Sequence, residues 1–353
     1  MTYLLKPLRG YTEFKGPVVC AILDGVGLGK RDESDGVYLA NTPVLDALMK
    51  EPLYRAIKAH GTAVGMPSDA DMGNSEVGHN TLGAGRVFAQ GAKRVAEAIA
   101  SGELFRSITW RTAVECAVTG HTVHFIGLLS DGNVHSHIDH LIAMLRKCAE
   151  SGVARVRIHA LLDGRDVDEK SALRYIDTLE RELAALNTEG RDYRIASGGG
   201  RMHVTMDRYN ADWRIVERGW KAHVLGDARG FPSAREAVQT CYDEDPDVTD
   251  QYLPAFAVQE GGKPVGTIED GDAVISFNFR GDRAIEISMA FEQLDFKHFD
   301  RQRRPEVFYA GMMEYDGDLH VPKHYLLPHA SIHGTLAQYL CGAGVTAYAG
   351  HRP

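Results

Sequence analysis

Six short stretches carry the side chains able to do chemistry. "LDGVG" places Asp24 at the end of an apolar run, and "MGNSEVGHNTLGAGR" sets Asn74 and Ser75 among small residues. "LLSDGNVHSH" carries His135, "LLDGRD" carries Arg165 and Asp166, "GRMHVTMDR" carries Arg201 and Arg208, and "FNFRGDR" carries Arg280 and Arg283. A serine hydroxyl is a weak nucleophile near neutral pH, but coordination to a divalent cation lowers its pKa and helps neutralise an incoming phosphoryl group. Ser75 is thus a candidate nucleophile and Asp24 a candidate hard-metal ligand. A Ser-His-Asp esterase is not indicated: the GxSxG elbow is missing and no His-Asp arrangement accompanies Ser75. The ordinary alternative for Ser75 is a helix cap or turn.

The five arginines ask for an anion. Guanidinium groups bind phosphate and carboxylate oxygens bidentately and stay charged at physiological pH. Singly, each is an ordinary solvated or salt-bridging side chain. Converging with His135 and Asp166, they suit a small doubly anionic substrate, and Asp166, kept ionised by a neighbouring arginine, can move a proton on it.

The elements that must position these residues follow from the hydrophobic pattern. "TVHFIGLLSDG", "VRIHALLDGRD", "YRIASGGGR", "DAVISFNFRGDR" and "EVFYAGMMEYDG" each read as a strand running into a polar turn. Between them lie helical faces, one with Ile138, Leu141, Ile142, Leu145 and Cys148, the next with Ala172, Ile176, Leu179, Leu183 and Leu186. Strands alternating with helices predict a largely parallel α/β sheet covered on both faces, with ligands bound beyond the carboxyl ends of its strands. All five arginines fall at those ends. Upstream, "PVVCAILDGVG" reads as a further buried strand, and "TPVLDALMKEPLYRAIKAHG" as a helix with Pro43 in its first turn. Gly25, Gly27 and Gly29 suggest a dinucleotide turn, but "KRDESDG" lacks the apolar periodicity of the helix that must follow.

Bulk properties narrow the class. At 353 residues the chain is long enough for about two domains. A net charge of -9 argues against a general nucleic-acid-binding surface, so any basic site is local. Cys20, Cys116, Cys148, Cys241 and Cys341 form no CxxC pair, which suggests neither a disulfide framework nor a zinc knuckle. The N-terminal stretch has no signal-peptide core and no run is long enough to span a membrane, so a reduced, cytoplasmic protein is expected.

Taken in order, the six motifs resemble the cofactor-independent (2,3-bisphosphoglycerate-independent) phosphoglycerate mutases of the alkaline-phosphatase superfamily, over nearly the whole chain. The text around "ASGGGRMHVTMDRYNADW" is similar to the branch found in plants and trypanosomatids. The resemblance implies an alkaline-phosphatase-like α/β domain, discontinuous in sequence, with an inserted α/β substrate-binding domain. Residues 1–92 would begin the phosphatase domain, 93–318 would be the phosphoglycerate-binding insertion, and 319–353 would start the return. It further implies an isomerase, monomeric, that interconverts 3-phosphoglycerate and 2-phosphoglycerate in glycolysis and gluconeogenesis. Ser75 would be the phosphorylated nucleophile and, with Asp24, a ligand of one of two Mn2+ (or Mg2+) ions. Asn74 would hold the transferring phosphoryl group, and His135, Arg165, Asp166, Arg201, Arg208, Arg280 and Arg283 would bind substrate.

The family pattern continues beyond "GHRP" with a lysine, three histidines and two aspartates of the two-metal centre, so a C-terminally truncated chain with negligible mutase activity is expected. His329 and His333 are read as loop and helix-start residues rather than replacements for that centre. The alternatives are a non-catalytic phosphoglycerate-binding protein and a related metal-dependent phosphatase or phosphomutase.

Overall fold

The computed structural model describes residues 3–6, 9–10, 16–89, 91–188, 190–328 and 332–350. The chain divides into two compact units, one formed by residues 1–90 with 331–353 and the other by 91–330.

In the first unit, helices α1 (Gly36–Leu39), α2 (Pro43–Leu48) and α3 (Ser75–Ala84) are separated by coil and a 3-10 turn at Gly61–Val64. Pro43 opens α2 as expected, but the helix ends at Leu48. Pro52 explains the early stop, because a proline disfavours helical backbone at the residue before it and offers no N–H. The run at 17–23 is a correction: it forms no strand, and Val18 and Val19 are 85% and 82% exposed. A strand is stable only when its N–H and C=O groups are paired, and among the described residues no strand pairs with this run. Asp24 therefore follows an exposed extended segment rather than a buried strand.

The second unit carries the expected α/β alternation. Helices α4 (Gly91–Ala100), α5 (Glu103–Arg106) and α6 (Ile108–Val118) lead into β1 (Val123–Leu128), α7 (Ile138–Glu150), β2 (Arg155–Leu162), α8 (Ala172–Leu186) and β3 (Asp192–Gly200). After α9 (Trp213–Trp220) and a π-helical turn, Lys221–Leu225, come β4 (Arg229–Phe231), α10 (Ala234–Glu244), β5 (Phe256–Glu260) and β6 (Lys263–Pro264). The unit closes with β7 (Ala273–Ser276), α11 (Ile285–Glu292), β8 (Phe308–Met313) and β9 (Tyr325–Leu327). The last helix, α12 (Leu336–Gly342), belongs to the first unit and starts in a capping box made by Thr335 and Gln338. His333 lies in the coil before it, while His329 is outside the described residues.

The sheet order is β4-β5-β3-β2-β1-β7-β8-β9, with β6 paired to β5. Strands β3, β2, β1, β7, β8 and β9 are mutually parallel, whereas β5 is antiparallel to β3 and β4 is parallel to β5, so β4 and β5 run against the rest. Because β9 pairs with β8, this unit runs past residue 318, the boundary expected from the resemblance. Successive connections step from β1 to β2 to β3 on one side and from β7 to β8 on the other. Right-handed crossovers then put α7 and α8 on one face and α11 on the opposite face. Every residue of β1 is buried, as a strand sandwiched between helix layers requires. On the α11 face, Ile126, Leu128, Leu161 and Val274 of the strands meet Val216 and Trp220 of α9 and Ile287 and Phe291 of α11 in one core.

Gly198 of β3 lies where a Cβ would collide with the carbonyl oxygen of Ala160 on β2 and with the Phe256 ring on β5. Both obstacles are held by sheet pairing. Gly198→Ala is expected to destabilise this unit by roughly 1–3 kcal/mol, read as a lowered midpoint in thermal unfolding followed by circular dichroism; an unchanged midpoint would count against this packing.

Candidate functional site

Reversal of strand order between β1 and β7 opens a crevice at their carboxyl ends. The loops entering it carry the residues singled out from the sequence. The β1 loop brings His135, the β2 loop Asp163, Arg165 and Asp166, the β3 loop Arg201 and Arg208, and the β7 loop Arg280, Asp282 and Arg283.

Three carboxylates and one backbone carbonyl organise four of the five guanidinium groups. Asp163 is a buried hub: its Oδ1 accepts from Arg201 Nη1 at 2.7 Å and from the Asp166 N–H at 3.1 Å, and its Oδ2 accepts from Ser130 Oγ at 2.6 Å. Arg201 also donates to Asp166 Oδ2. The arginine partnering the Asp166 carboxylate is thus Arg201, fully buried, and not its sequence neighbour Arg165, which is exposed. Asp282 serves the other side, within 3.1 Å of Arg280 Nη2 and 3.3 Å of Arg208 Nη1. Its Oδ1 faces His135 Nδ1 at 3.6 Å, and neither of these two buried atoms has a hydrogen-bond partner among the described residues. Arg283 donates from Nη1 to the Met206 carbonyl at 2.6 Å.

The electrostatics follow from crowding. Burial first, then the Arg208 and Arg201 charges, brings Arg283 down to about 10. Burial, followed by repulsion from Arg201, Arg280, Arg283 and Arg208, takes His135 well below the usual imidazole range, so it is neutral near pH 7. Five cations against Asp163, Asp166 and Asp282 leave an excess of positive charge, which an anion would relieve. Beneath them, Glu286 of α11 accepts from the Asn210 N–H at 2.9 Å, while Asp207 accepts from the Asp212 N–H at 2.6 Å. Burial, with Asp207 beside it and only partly offset by the Asn210 bond, raises Glu286 to about 7.

Asp163 and Asp282 are the residues that sequence reasoning missed. Both lie inside quoted motifs, "DGRD" and "FRGDR"; the alternation Arg-Gly-Asp-Arg was the available signal.

Ser75 and Asp24 lie together in the first unit. Asp24 Oδ2 accepts from Ser75 Oγ at 2.5 Å, and His79 Nδ1, one helical turn on, lies 3.3 Å from the same hydroxyl. Asn74 caps α3, its Oδ1 accepting from the Val77 N–H at 3.1 Å. Gly73 is small for a packing reason, since a Cβ there would collide with the Ala59 carbonyl; around Gly78 the space is open. A divalent cation takes four or more donors. Among the described residues no group of three or more His, Cys, Asp or Glu side chains is placed to hold a metal. Asp24 and Ser75 alone do not make such a site.

Residues 95–317 match the family described as "BPG-independent PGAM N-terminus (iPGM_N)". The chain belongs to this family. It is 55% identical over 335 residues to the 2,3-bisphosphoglycerate-independent phosphoglycerate mutase of Trypanosoma brucei brucei, covering 94% of this chain and 61% of that protein. The enzyme of the same name from Ricinus communis is 49% identical, with 94% of this chain and 60% of the relative covered. Among solved structures, Leishmania mexicana phosphoglycerate mutase, crystallised at low cobalt concentration, matches with a TM-score of 0.88 and 55% identity over 92% of this chain and 59% of that one. The chain therefore spans about three fifths of the length of the relatives it matches. The five cysteines are all free, and no described helix is long and apolar enough to cross a membrane.

The crevice and the carboxylates beneath it generate two predictions. Arg201→Met leaves Asp163 buried without its cation and is expected to destabilise by about 3–5 kcal/mol, measured by urea unfolding. Glu286 concerns pH. Its carboxyl rises from 4.5 to about 7 on folding, so the folded state holds a proton that the unfolded state has already lost. Stability from this group is present in full below pH 4.5 and is lost as pH climbs through about 7, at up to about 1.4 kcal/mol per unit. Glu286→Gln is expected to flatten that slope in urea midpoints taken across the window, and an identical slope would refute the assignment.

Proposed function

We propose that this chain takes part in the interconversion of 3-phosphoglycerate and 2-phosphoglycerate, with the arginine crevice of the second unit holding the phosphoglycerate. The observation that carries this reading is the convergence of Arg165, Arg201, Arg208, Arg280 and Arg283 on one strand-end crevice, in a chain of this family. A carboxylate and a phosphate on a three-carbon ligand match several guanidinium groups better than a single anion does. Neutral His135 and the carboxylate of Asp282 are suited to the ligand's hydroxyl, one as donor and the other as acceptor. Asp166 is the proton carrier in this reading. In contact with Arg201, it would pass a proton to or from the hydroxyl that leaves or receives the phosphoryl group.

Ser75 is the nucleophile in this proposal. Asp24 accepts its hydroxyl proton in a hydrogen bond and aligns Oγ at the start of α3, where the helix N-terminus favours an approaching phosphoryl group. The phosphoryl group forms a bond to Ser75 Oγ as its bond to one glycerate oxygen breaks, and is then returned to the other. A divalent metal, Mn2+ or Mg2+, would supply Lewis-acid charge stabilisation to such a transfer. Asp24 and Ser75 are the donors that the described residues offer it, too few to hold the ion by themselves. The reading extends to a small-molecule substrate alone, with no nucleic-acid or membrane partner, and to action in the cytoplasm.

Calorimetric titration of the 353-residue chain with 3-phosphoglycerate tests the crevice. Saturable binding is expected, and Arg283→Ala or Arg280→Ala should weaken it by about 1.5–3 kcal/mol. Absence of any binding heat at millimolar ligand would overturn the reading.

A further inference from the structure

Across the sheet face that packs on α11 runs a chain of buried polar groups that the arginine crevice does not use. Asp272 Oδ2, just before β7, lies 3.0 Å from His124 Nε2 on β1, and His124 Nδ1 lies 3.0 Å from His159 Nε2 on β2. His159 Nδ1 lies 2.6 Å from Ser197 Oγ on β3, and Ser197 Oγ lies 2.7 Å from His223 Nδ1 in the π-helical turn. His223 Nε2 finally lies 2.9 Å from Thr205 Oγ1, in the β3 loop that carries Arg201 and Arg208. The three imidazoles are 0% exposed, and Ser197 and Thr205 are 1% exposed.

The chain has one direction only. Burial pushes the Asp272 carboxyl up, but the His124 bond and two backbone N–H bonds more than offset this and bring it below the usual carboxylate value; ionised, it only accepts. His124 must then donate from Nε2. Burial lowers all three histidines, His223 to about 3, so each is neutral and carries a single N–H. It follows that His124 Nδ1 accepts from His159 Nε2, His159 Nδ1 accepts from the Ser197 hydroxyl, and Ser197 Oγ accepts from His223 Nδ1. His223 Nε2 has only a lone pair left, and the Thr205 hydroxyl must donate to it. Both tautomer and hydroxyl orientation are fixed along the whole run.

Thr205 needs such a fixture. Its φ is +69°, in the left-handed region that a β-branched residue avoids. Its N–H donates to Ile215 O at 2.8 Å, and α9 approaches so closely that a Cβ on Gly219 would collide with the Thr205 hydroxyl. The next residue, Met206, presents the carbonyl that holds Arg283 Nη1.

We propose that Thr205 is a positioning residue: the one-way hydrogen-bond chain from its hydroxyl to Asp272 holds it left-handed, which points the Met206 carbonyl at Arg283 and sets that guanidinium in the crevice. The consequence for affinity rests on the reading of the crevice as a phosphoglycerate site; the consequence for the Met206–Arg283 contact does not.

The test uses the full chain, Thr205→Val and Thr205→Ser. Nitrogen-15 imidazole spectra at neutral pH are expected to show protons on Nε2 of His124 and His159 and on Nδ1 of His223. A reversed tautomer or a charged ring at any of the three overturns the proposal. Thr205→Val deprives His223 Nε2 of its donor and should weaken 3-phosphoglycerate binding about tenfold, while Thr205→Ser, which keeps the hydroxyl, should stay within about twofold of wild type. Wild-type affinity in Thr205→Val overturns the proposal. If wild type binds no 3-phosphoglycerate, the crevice reading fails and exchange protection of the Arg283 guanidinium protons decides. Protection kept in Thr205→Ser and lost in Thr205→Val supports positioning, and equal protection in both refutes it.

Discussion

Like-charge repulsion among five guanidinium groups is the constraint on which the second unit's architecture depends. Left to themselves, Arg165, Arg201, Arg208, Arg280 and Arg283 would spread into solvent. Fixed carboxylates and a carbonyl hold four of them: Asp163 and Asp166 take Arg201, Asp282 takes Arg208 and Arg280, and the Met206 carbonyl takes Arg283. The partners do not balance the charge, and Arg283 is depressed by burial first and then by the Arg208 and Arg201 charges. That excess is preorganisation. An anion in the crevice would meet several donors already held in place, Arg201 and Arg283 among them buried, so less ordering would oppose its binding.

The fold meets this constraint through the direction of its strands. Parallel strands bring their carboxyl-end loops to one edge, and the reversal of order between β1 and β7 parts those loops enough to leave a crevice. The same sheet carries a polar run through an otherwise apolar face, from Asp272 to Thr205. Unpaired, each buried imidazole would cost a few kcal/mol. Paired end to end, they keep neutral groups in a core that would not tolerate charges, and the cost of burial is offset bond by bond.

Much of this was legible in the sequence, for physical reasons that also mark where legibility stops. Strands β1, β2, β3, β7 and β8 were visible because each apolar run is broken by Asp, Asn, Arg or Gly at its carboxyl end, and α7 and α8 because their apolar residues recur at helical spacing. Strands β4, β6 and β9 span three residues or fewer and carry no periodic signal. "VVCAIL" is at least as apolar as "VHFIGL", yet only the second is a strand. Composition records the wish to be buried, and pairing depends on neighbours that no local pattern contains. The arginines were found because charge at a strand end is a local feature. Their partners were not: which carboxylate meets Arg201 is decided by the register of β2 against β3. His124, His159 and His223 read as isolated histidines in apolar runs, since each needs the next across a strand boundary.

The two kinds of chemistry in this chain differ in how completely the described residues specify them. Around the arginines, the protein's carboxylates and the Met206 carbonyl meet part of the hydrogen-bond capacity. What remains open is informative: Asp282 Oδ1 and His135 Nδ1 are buried, face each other at 3.6 Å and make no hydrogen bond. Buried polar atoms are rarely left so without reason. An acceptor and a neutral imidazole at that separation can both reach one hydroxyl group, which donates to the carboxylate and accepts from the ring. Phosphate or sulfate alone would answer the arginines and leave this pair unmet. Under the phosphoglycerate reading proposed above, a ligand that carries anionic groups and a hydroxyl together would answer both.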